Sequence, residues 1–492
     1  MLKAMNAMDA GMLAMETPET PMHVGGVQLL RLPRGAGRDH VRELRDRLLA
    51  SPAISAPFNY RYVRSGRLPG IPAWEVLQKV DLRDHVFHHA LTRPGTERKL
   101  FELVSQLDSG PLDRSRPLWE HHLVEGLEGR RYATFSRVHH SLVDGKWGMR
   151  LLAATTSADP EVRGLPPFWG VSAEEHVRAG KRSQGSDPEQ DLWTRGRAGL
   201  RDGAEALAEL STAFLRTAEA VLLPSDAGLV PPYRAPGSIL NGKLTPRREF
   251  AVVRIELPRV KRLARAQDAK VNDVVMAACA GGLRRYLLER DALPKAPLIA
   301  SMMIAVARAE GASGGNAFVP GMVSLATHLV DPVERFEIIR SSSRHAKQLI
   351  RGLASPAALT LYLGVSVLPF ALLHAFGRAD RAHVHNLVIS NVPGLLQKRY
   401  VNGALIESDY PMSLLVPGEA MNITAISRAN TLDVAVLVCP DLAPDPQRVG
   451  EAIAESLDEL ERALPGKPLR AKATRRLARP ASPRRAAAKS AR

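Results

Sequence analysis

Cysteine is nearly missing from this chain, with only Cys279 and Cys439 in 492 residues. The two lie far apart and match no metal spacing. That excludes a disulfide framework and predicts a reducing compartment with two small buried side chains. A secretory signal is missing too. The stretch MLKAMNAMDAGMLAMETPETPMH has no sustained apolar run and carries Asp9, Glu16 and Glu19. Long uninterrupted hydrophobic runs are scarce. One segment, LASPAALTLYLGVSVLPFALLHAF at 353–376, is long enough to span a bilayer and has no charged residue. Pro356, Gly364, Pro369 and His374 interrupt it, so it reads as broken core helices or as a lipid-contacting element rather than a span. Acid is absent from the last stretch. From Lys467 to Arg492 there are ten Lys or Arg and no Asp or Glu, so this stretch carries ten of the sixteen net positive charges. It reads as a disordered basic tail, 466–492, suited to solubility or to an anionic surface. It has no aromatic residue for base stacking, so no specific nucleic-acid partner is expected.

What is present is ordinary globular composition, 45% apolar and 24% charged, in a chain long enough for two cores. Residues 1–180 mix strand-like and helix-like segments. LWEHHLVEGLEGRRYATFSRVHH reads as a hairpin, Leu118 to Val124 returning as Tyr132 to His139, followed by a helical KWGMRLLAAT. Residues 181–240 read as a helical linker ending in a Pro/Gly connector. Residues 241–465 alternate again: REFAVVRIEL, LVISNVPG and LDVAVLVCPD as strands, VKRLARAQ, VNDVVMAACAGGLRRYLLER and RVGEAIAESLDELERAL as helices. The fold class expected is α/β in two halves.

Three adjacent histidine pairs occur: HHA (88–90), HHLVEG (121–126) and HHSLVDG (139–145). Successive strand side chains point to opposite faces, so His139 and His140 cannot line one cavity together. That argues against a metal site made by the pair, and no metal is expected. It imposes a division of labour, one histidine facing a pocket and the other supporting it. His140 shares a face with Val138, Ser136, Thr134 and Tyr132, the more plausible wall of a polar-edged channel. A histidine there suits general-base work on a hydroxyl. Asp144 follows the strand and can lock the loop, while Gly145 permits a tight turn and close substrate approach. HHLVEG sits mid-strand, and its glutamate and glycine are explained by the hairpin turn. HHA has no acid or glycine at the right offset. A random H-H-x-x-x-D-G should occur in about one in several hundred chains of this composition.

These motifs together resemble the bacterial wax ester synthase/acyl-CoA:diacylglycerol acyltransferases, relatives of chloramphenicol acetyltransferase and of peptide-synthetase condensation domains. The resemblance rests on MDAGMLAMETPETPMHVGG (8–26), Pro117-Leu118-Trp119, HHSLVDG, VNDVV (271–275) and SNVPG (390–394), in that order over nearly the whole chain. It implies two chloramphenicol-acetyltransferase-like domains, each a mixed sheet flanked by helices, with a channel between them. It implies His140 as the base, His139 as its support and Asp144 as structural. It would place Asn272, Asp273, Ser390 and Asn391 near the reacting carbonyl or the channel, although capping by Asn272 and a turn at Asn391 explain those two equally well. It would place Pro117, Leu118 and Trp119 along the substrate channel, although for Trp119 core packing is the stronger reading. Leu395 departs from the proline the family often has there.

The expected reaction is direct transfer of a long-chain acyl group from acyl-CoA, a co-substrate rather than a cofactor, to diacylglycerol or a fatty alcohol. A cytoplasmic protein held peripherally on the inner membrane or on lipid inclusions follows, and a homodimer is compatible. Two rivals stand beside it. His139 and Asp144 also satisfy H-x-x-x-x-D, the pattern of glycerol-phosphate-type acyltransferases with the first histidine as base. A non-catalytic lipid-surface protein would use 353–376 and the tail alone.

Overall fold

The apolar alternation of HVGGVQLLR and RYATFSRVH produces two long neighbouring strands, and the first sheet grows around them. The computed structural model describes residues 2–5, 7–51, 54–64, 72–143, 145–172, 230, 233–305, 318–352, 362, 370, 372–378, 381 and 383–464. Asp144, most of the linker, most of 353–376 and the basic tail therefore lie outside the described residues.

The chain opens with β1 (Leu2–Ala4), α1 (Ala7–Met15), β2 (His23–Arg31), α2 (His40–Leu49), β3 (Tyr60–Arg64) and β4 (Pro72–Val76). It continues through β5 (Val86–Ala90), α3 (Glu97–Asp108), β6 (Trp119–Leu127), β7 (Arg131–His139) and α4 (Gly145–Ala154). The second region begins with β8 (Glu249–Glu256), α5 (Leu257–Ala266), α6 (Val271–Leu288), β9 (Ile299–Ala305), β10 (Phe318–Ser324) and α7 (Pro332–Gly352). It ends with β11 (Leu387–Val392), β12 (Tyr400–Val401), β13 (Ala404–Met412), β14 (Met421–Arg428), β15 (Thr431–Val438) and α8 (Pro446–Ala463).

A small sheet has the order β1-β4-β3, and two six-stranded sheets have the orders β12-β13-β2-β7-β6-β5 and β10-β9-β11-β14-β15-β8. Both large sheets are mixed. β5 runs parallel to β6, and β11 runs parallel to β9 and β14, while the other neighbours are antiparallel. The expected hairpin is β6–β7, its register shifting between Val124 and Leu127. Gly126, the glycine of HHLVEG, takes φ 89° at that irregularity.

The second region does not keep to its own sheet. β12 and β13 cross over and complete the first sheet, β13 pairing with β2. A polar seam also joins the regions. The Phe250 N–H donates to Ser105 Oγ at 3.0 Å and the Arg248 N–H to Ser109 Oγ at 2.9 Å. Beside it one apolar core runs from Val27, Leu100 and Phe135 to Phe250, Ile255 and Leu432. α6 is buried almost all round, which explains its weakly amphipathic sequence. Gly282 lets α8 press against it, since a Cβ there would stand 2.7 Å from the Ile453 backbone nitrogen.

Candidate active site

β7 delivers the histidine pair. His139 is its last residue, directly opposite His23 of β2, and its N–H donates to the Leu118 carbonyl at 2.9 Å. The His140 N–H donates to the Met22 carbonyl at 2.8 Å, so the ladder holds one residue further and the two rings leave on opposite faces. Their environments differ accordingly. His139 is completely buried, whereas His140 is half-buried.

His139 is sealed into a polar nest. Its Nδ1 accepts from the Ser141 N–H at 3.1 Å and lies 2.6 Å from Ser141 Oγ. The ring proton therefore belongs on Nε2, which stands 3.5 Å from Glu16 Oε1. Burial, with help from His23, Arg114 and His140, pushes the His139 pKa down to about 3. The ring is neutral at physiological pH, and its one lone pair is already engaged. Glu16 in turn accepts from the Met22 N–H at 3.1 Å and from Arg114 Nε and Nη2 at 3.2 and 3.0 Å. His23 Nε2 lies 2.8 Å from Asp108 Oδ1, the C-terminal residue of α3.

The face of His140 is different. Val24, Gly26 and Gln28 of β2, with Ser136 and Thr134 of β7, are only partly buried although both strands are interior to the sheet. Interior strands expose side chains only where nothing packs on them. This strip separates two apolar clusters, one holding Trp119, Val138 and Trp169, the other Leu30, Leu123, Tyr132 and Ile406. His121 borders it, its Nδ1 2.8 Å from Ser136 Oγ, and burial drives its pKa down to about 3. At the far end a cleft is lined by Leu152, Leu395, Ile406, Asp409, Ile426 and Arg428. Burial, opposed by Arg428 and assisted by Asp433, raises the Asp409 pKa to about 6.

The near-copies form a network of their own. His122 lies 3.0 Å from His89 and 3.1 Å from Glu120, which also binds Arg137 Nε at 2.9 Å, and its ring stacks between Phe87 and Phe135. Burial alone would raise the Glu120 pKa, but His122 and Arg137 bring it down to about 2. Among the described residues no group of histidine, cysteine or acid side chains could hold a metal ion.

The remaining sequence candidates separate. Asp144 lies outside the described residues, and Gly145 opens α4. Pro117, Leu118 and Trp119, expected along the channel, are buried. Trp119 is stacked between His85 and Trp169, with its indole N–H donating to the Phe58 carbonyl at 2.8 Å. The segment braces His139 from behind. Asp273, rather than Asn272, caps α6 by accepting from the Lys270 N–H at 3.0 Å. Asn272 donates to Met302 Sδ at 3.2 Å. Ser390 is half-buried, paired with Thr424 of β14, and Asn391 lies on the opposite face of β11. Gly394 has no room for a side chain, because a Cβ would fall 2.1 Å from the Ser427 carbonyl oxygen. Sequence reasoning passed over Glu16, His23, Asp108 and Arg114. Pairing across such separations has no local signature in the sequence.

Comparison with known proteins identifies the family. Residues 5–275 match the wax ester synthase/diacylglycerol acyltransferase catalytic domain, and residues 314–461 match the corresponding C-terminal domain. A Mycobacterium tuberculosis protein provisionally named a diacylglycerol O-acyltransferase is 38% identical over 94% of this chain and 100% of its own length. The O-acyltransferase WSD of Acinetobacter baylyi is 33% identical, covering 94% of this chain and 97% of its own. The solved wax ester synthase/diacylglycerol acyltransferase of Marinobacter aquaeolei superposes with a TM-score of 0.74 at 32% identity, covering 94% of this chain and 99% of that one. The first condensation domain of the CDA synthetase shares the two-domain fold alone, with a TM-score of 0.52 at 16% identity.

Proposed function

The chain belongs to the wax ester synthase/diacylglycerol acyltransferase family, and from that premise we propose that it transfers a long-chain acyl group from acyl-CoA to the hydroxyl of diacylglycerol or a fatty alcohol. His140 takes the proton of the acceptor hydroxyl. The oxygen attacks the thioester carbonyl, the carbon–sulfur bond breaks, and the coenzyme A thiolate leaves with the proton that His140 returns. No nucleophile on the enzyme is needed.

The observation that carries this reading is the asymmetry of the pair. His140 is half-buried at the head of a partly open polar strip, while His139 is sealed and its lone pair is occupied. The same asymmetry weighs against a glycerol-phosphate-type mechanism with His139 as base. From the second region, Ser390 is our candidate for contact with the reacting groups, being half-buried on the face it shares with Thr424.

Contact with a lipid surface is the second part of the proposal. No helix among the described residues is long and apolar enough to cross a membrane. Leu372 and Phe376, one helical turn apart, are 52% and 77% exposed, and Arg378 and Arg381 follow them. Exposed apolar side chains beside cations suit an anionic lipid surface. Flotation with phosphatidylglycerol vesicles should recover the wild type and lose Leu372→Ser/Phe376→Ser.

The test of the reaction follows free coenzyme A from palmitoyl-CoA with hexadecanol or dioleoylglycerol. His140→Ala should lose turnover by about 10²–10⁴-fold while remaining folded. His122→Ala should retain it. Wild-type inactivity with both acceptors, or full activity in His140→Ala, rejects the reading.

A further inference from the structure

Among the buried carboxylates that the proposed reaction does not use, Glu16 lies against His139 and is linked to His140 through the backbone. Glu16 follows α1 and its side chain is 2% exposed. Its Oε1 lies 3.5 Å from His139 Nε2 and accepts the Met22 N–H at 3.1 Å. The carbonyl of the same Met22 accepts the His140 N–H at 2.8 Å. One oxygen thus meets the first histidine through its ring and the second through the backbone of one residue, Met22.

The other oxygen, Oε2, is held by Arg114. That division matters. Arg114 Nη2 also donates to the Leu13 carbonyl at 2.8 Å, so α1 is tied to the loop before β6 even without Glu16. Anchoring alone does not require a buried carboxylate with one oxygen turned to the histidines. A buried carboxylate is costly unless paired, and Arg114 supplies the pairing. Ser141 fixes the proton of His139 on Nε2, the atom that faces Glu16.

The charged and titratable groups around the pair are few, and on the His140 face they include His121, whose Nδ1 lies 2.8 Å from Ser136 Oγ. On the His139 side stand Glu16, Arg114 and, across β2, His23 with Asp108. One strand pair further along the same face are Arg137 and Glu120. Glu16 is the carboxylate that approaches His139 itself.

We propose that Glu16 is a positioning residue for acyl transfer, orienting the His139 ring and, through Met22, the backbone that presents His140 to the acceptor hydroxyl. Its charge also favours the imidazolium that His140 becomes while it holds the acceptor proton. The proposal rests on His140 being the base.

The experiment uses the full-length protein with palmitoyl-CoA and hexadecanol. Glu16→Gln should lower kcat by about 10–100-fold, the size seen when an orienting carboxylate behind a histidine is removed. KM for palmitoyl-CoA should not change. The acid limb of kcat/KM should move to lower pH, because removing a negative charge lowers the pKa of a nearby imidazole. Glu16→Asp should recover part of the loss. If Glu16→Gln fails to fold, Glu16→Gln/Arg114→Gln removes both charges, and the fall in kcat is read there with the acid limb left in place. Wild-type kcat with an unmoved acid limb in either variant overturns the proposal. If His140→Ala is inactive in the same assay, that failure leaves the base assignment standing. A readout independent of turnover is the 15N spectrum of histidine-labelled wild type. Protonated Nε2 on His139 is expected, and protonated Nδ1 overturns the proposal even if no acyl transfer is found.

Discussion

His23 Nε2 and Asp108 Oδ1 meet at 2.8 Å inside the protein, and the pair ties β2 to the end of α3 directly opposite His139. Arg248, buried at the seam between the regions, also feels the Asp108 charge. Asp108→Ala should therefore leave the His23 imidazole buried without its partner and take a nearby negative charge from Arg248, whose guanidinium keeps the Glu19, Thr245 and Arg247 carbonyls. A loss of about 2–4 kcal/mol is expected for such a truncation. Urea unfolding of the variant measures it, and a change below about 0.5 kcal/mol would place it with ordinary surface substitutions.

The two adjacent glycines of MHVGG should behave differently. A Cβ on Gly25 would fall 1.9 Å from the Ser136 carbonyl oxygen, a contact that side-chain movement cannot relieve. A Cβ on Gly26 would meet its nearest atom, the Tyr410 carbonyl oxygen, at 3.3 Å. Gly25→Ala should cost about 3 kcal/mol or more and disturb the β2–β7 pairing that presents the histidines. Gly26→Ala should stay within about 1 kcal/mol. Thermal unfolding of both variants at one pH decides this, and equal losses would refute it.

Much of this arrangement was legible because its causes are local. Alternation in RYATFSRVHH marks a strand, and a strand cannot aim His139 and His140 at one cavity. The burial of one ring and the partial exposure of the other follow from that period alone. The strand and helix over 249–266 were equally readable. The crossing of β13 into the first sheet was not, because strand pairing across the whole chain leaves no mark in composition or period. Trp119 shows the limit in another way. A tryptophan beside a motif can form a channel wall or a core. Core packing is the stronger reading for Trp119, and its stacking partners His85 and Trp169 place it there. Nothing local pairs Glu16 with Arg114, and the fold alone brings them together.

Acid should destabilise the protein through two histidines held neutral in the fold, the fully buried His139 and the partly buried His121. His139 and His121 are each driven down to about 3 in the folded state, from an unfolded value near 6.5. Between those limits the unfolded chain binds protons that the folded chain refuses. The stability these rings contribute is complete above about pH 6.5 and is lost as pH falls toward about 3. Each group adds up to about 1.4 kcal/mol per pH unit to the slope in that window. His121→Asn should flatten the slope between pH 6 and pH 4 by roughly one proton's worth. Unfolding free energies at several pH values measure it, and an unchanged slope would mean that His121 takes up its proton in the fold.

Asp409 carries the opposite sign. Burial raises its pKa to about 6, and Asp433, itself fully buried, works in the same direction against Arg428. The folded state therefore holds a proton that the unfolded chain releases near pH 4. The stability this group contributes is complete below about pH 4 and is lost as pH rises through about 6. Asp409→Asn keeps the shape and removes the charge. It should raise stability by about 1–3 kcal/mol at pH 8 and change little at pH 4. The side chain also lines the cleft with Leu395 and Arg428. An acyl or acceptor chain lodged there should bind a neutral lining more tightly, lowering KM for that substrate alone. Unfolding at the two pH values, with KM for palmitoyl-CoA and for each acceptor, separates the effects. A variant less stable than wild type at pH 8 would show that the ionised carboxylate is an essential partner of Arg428.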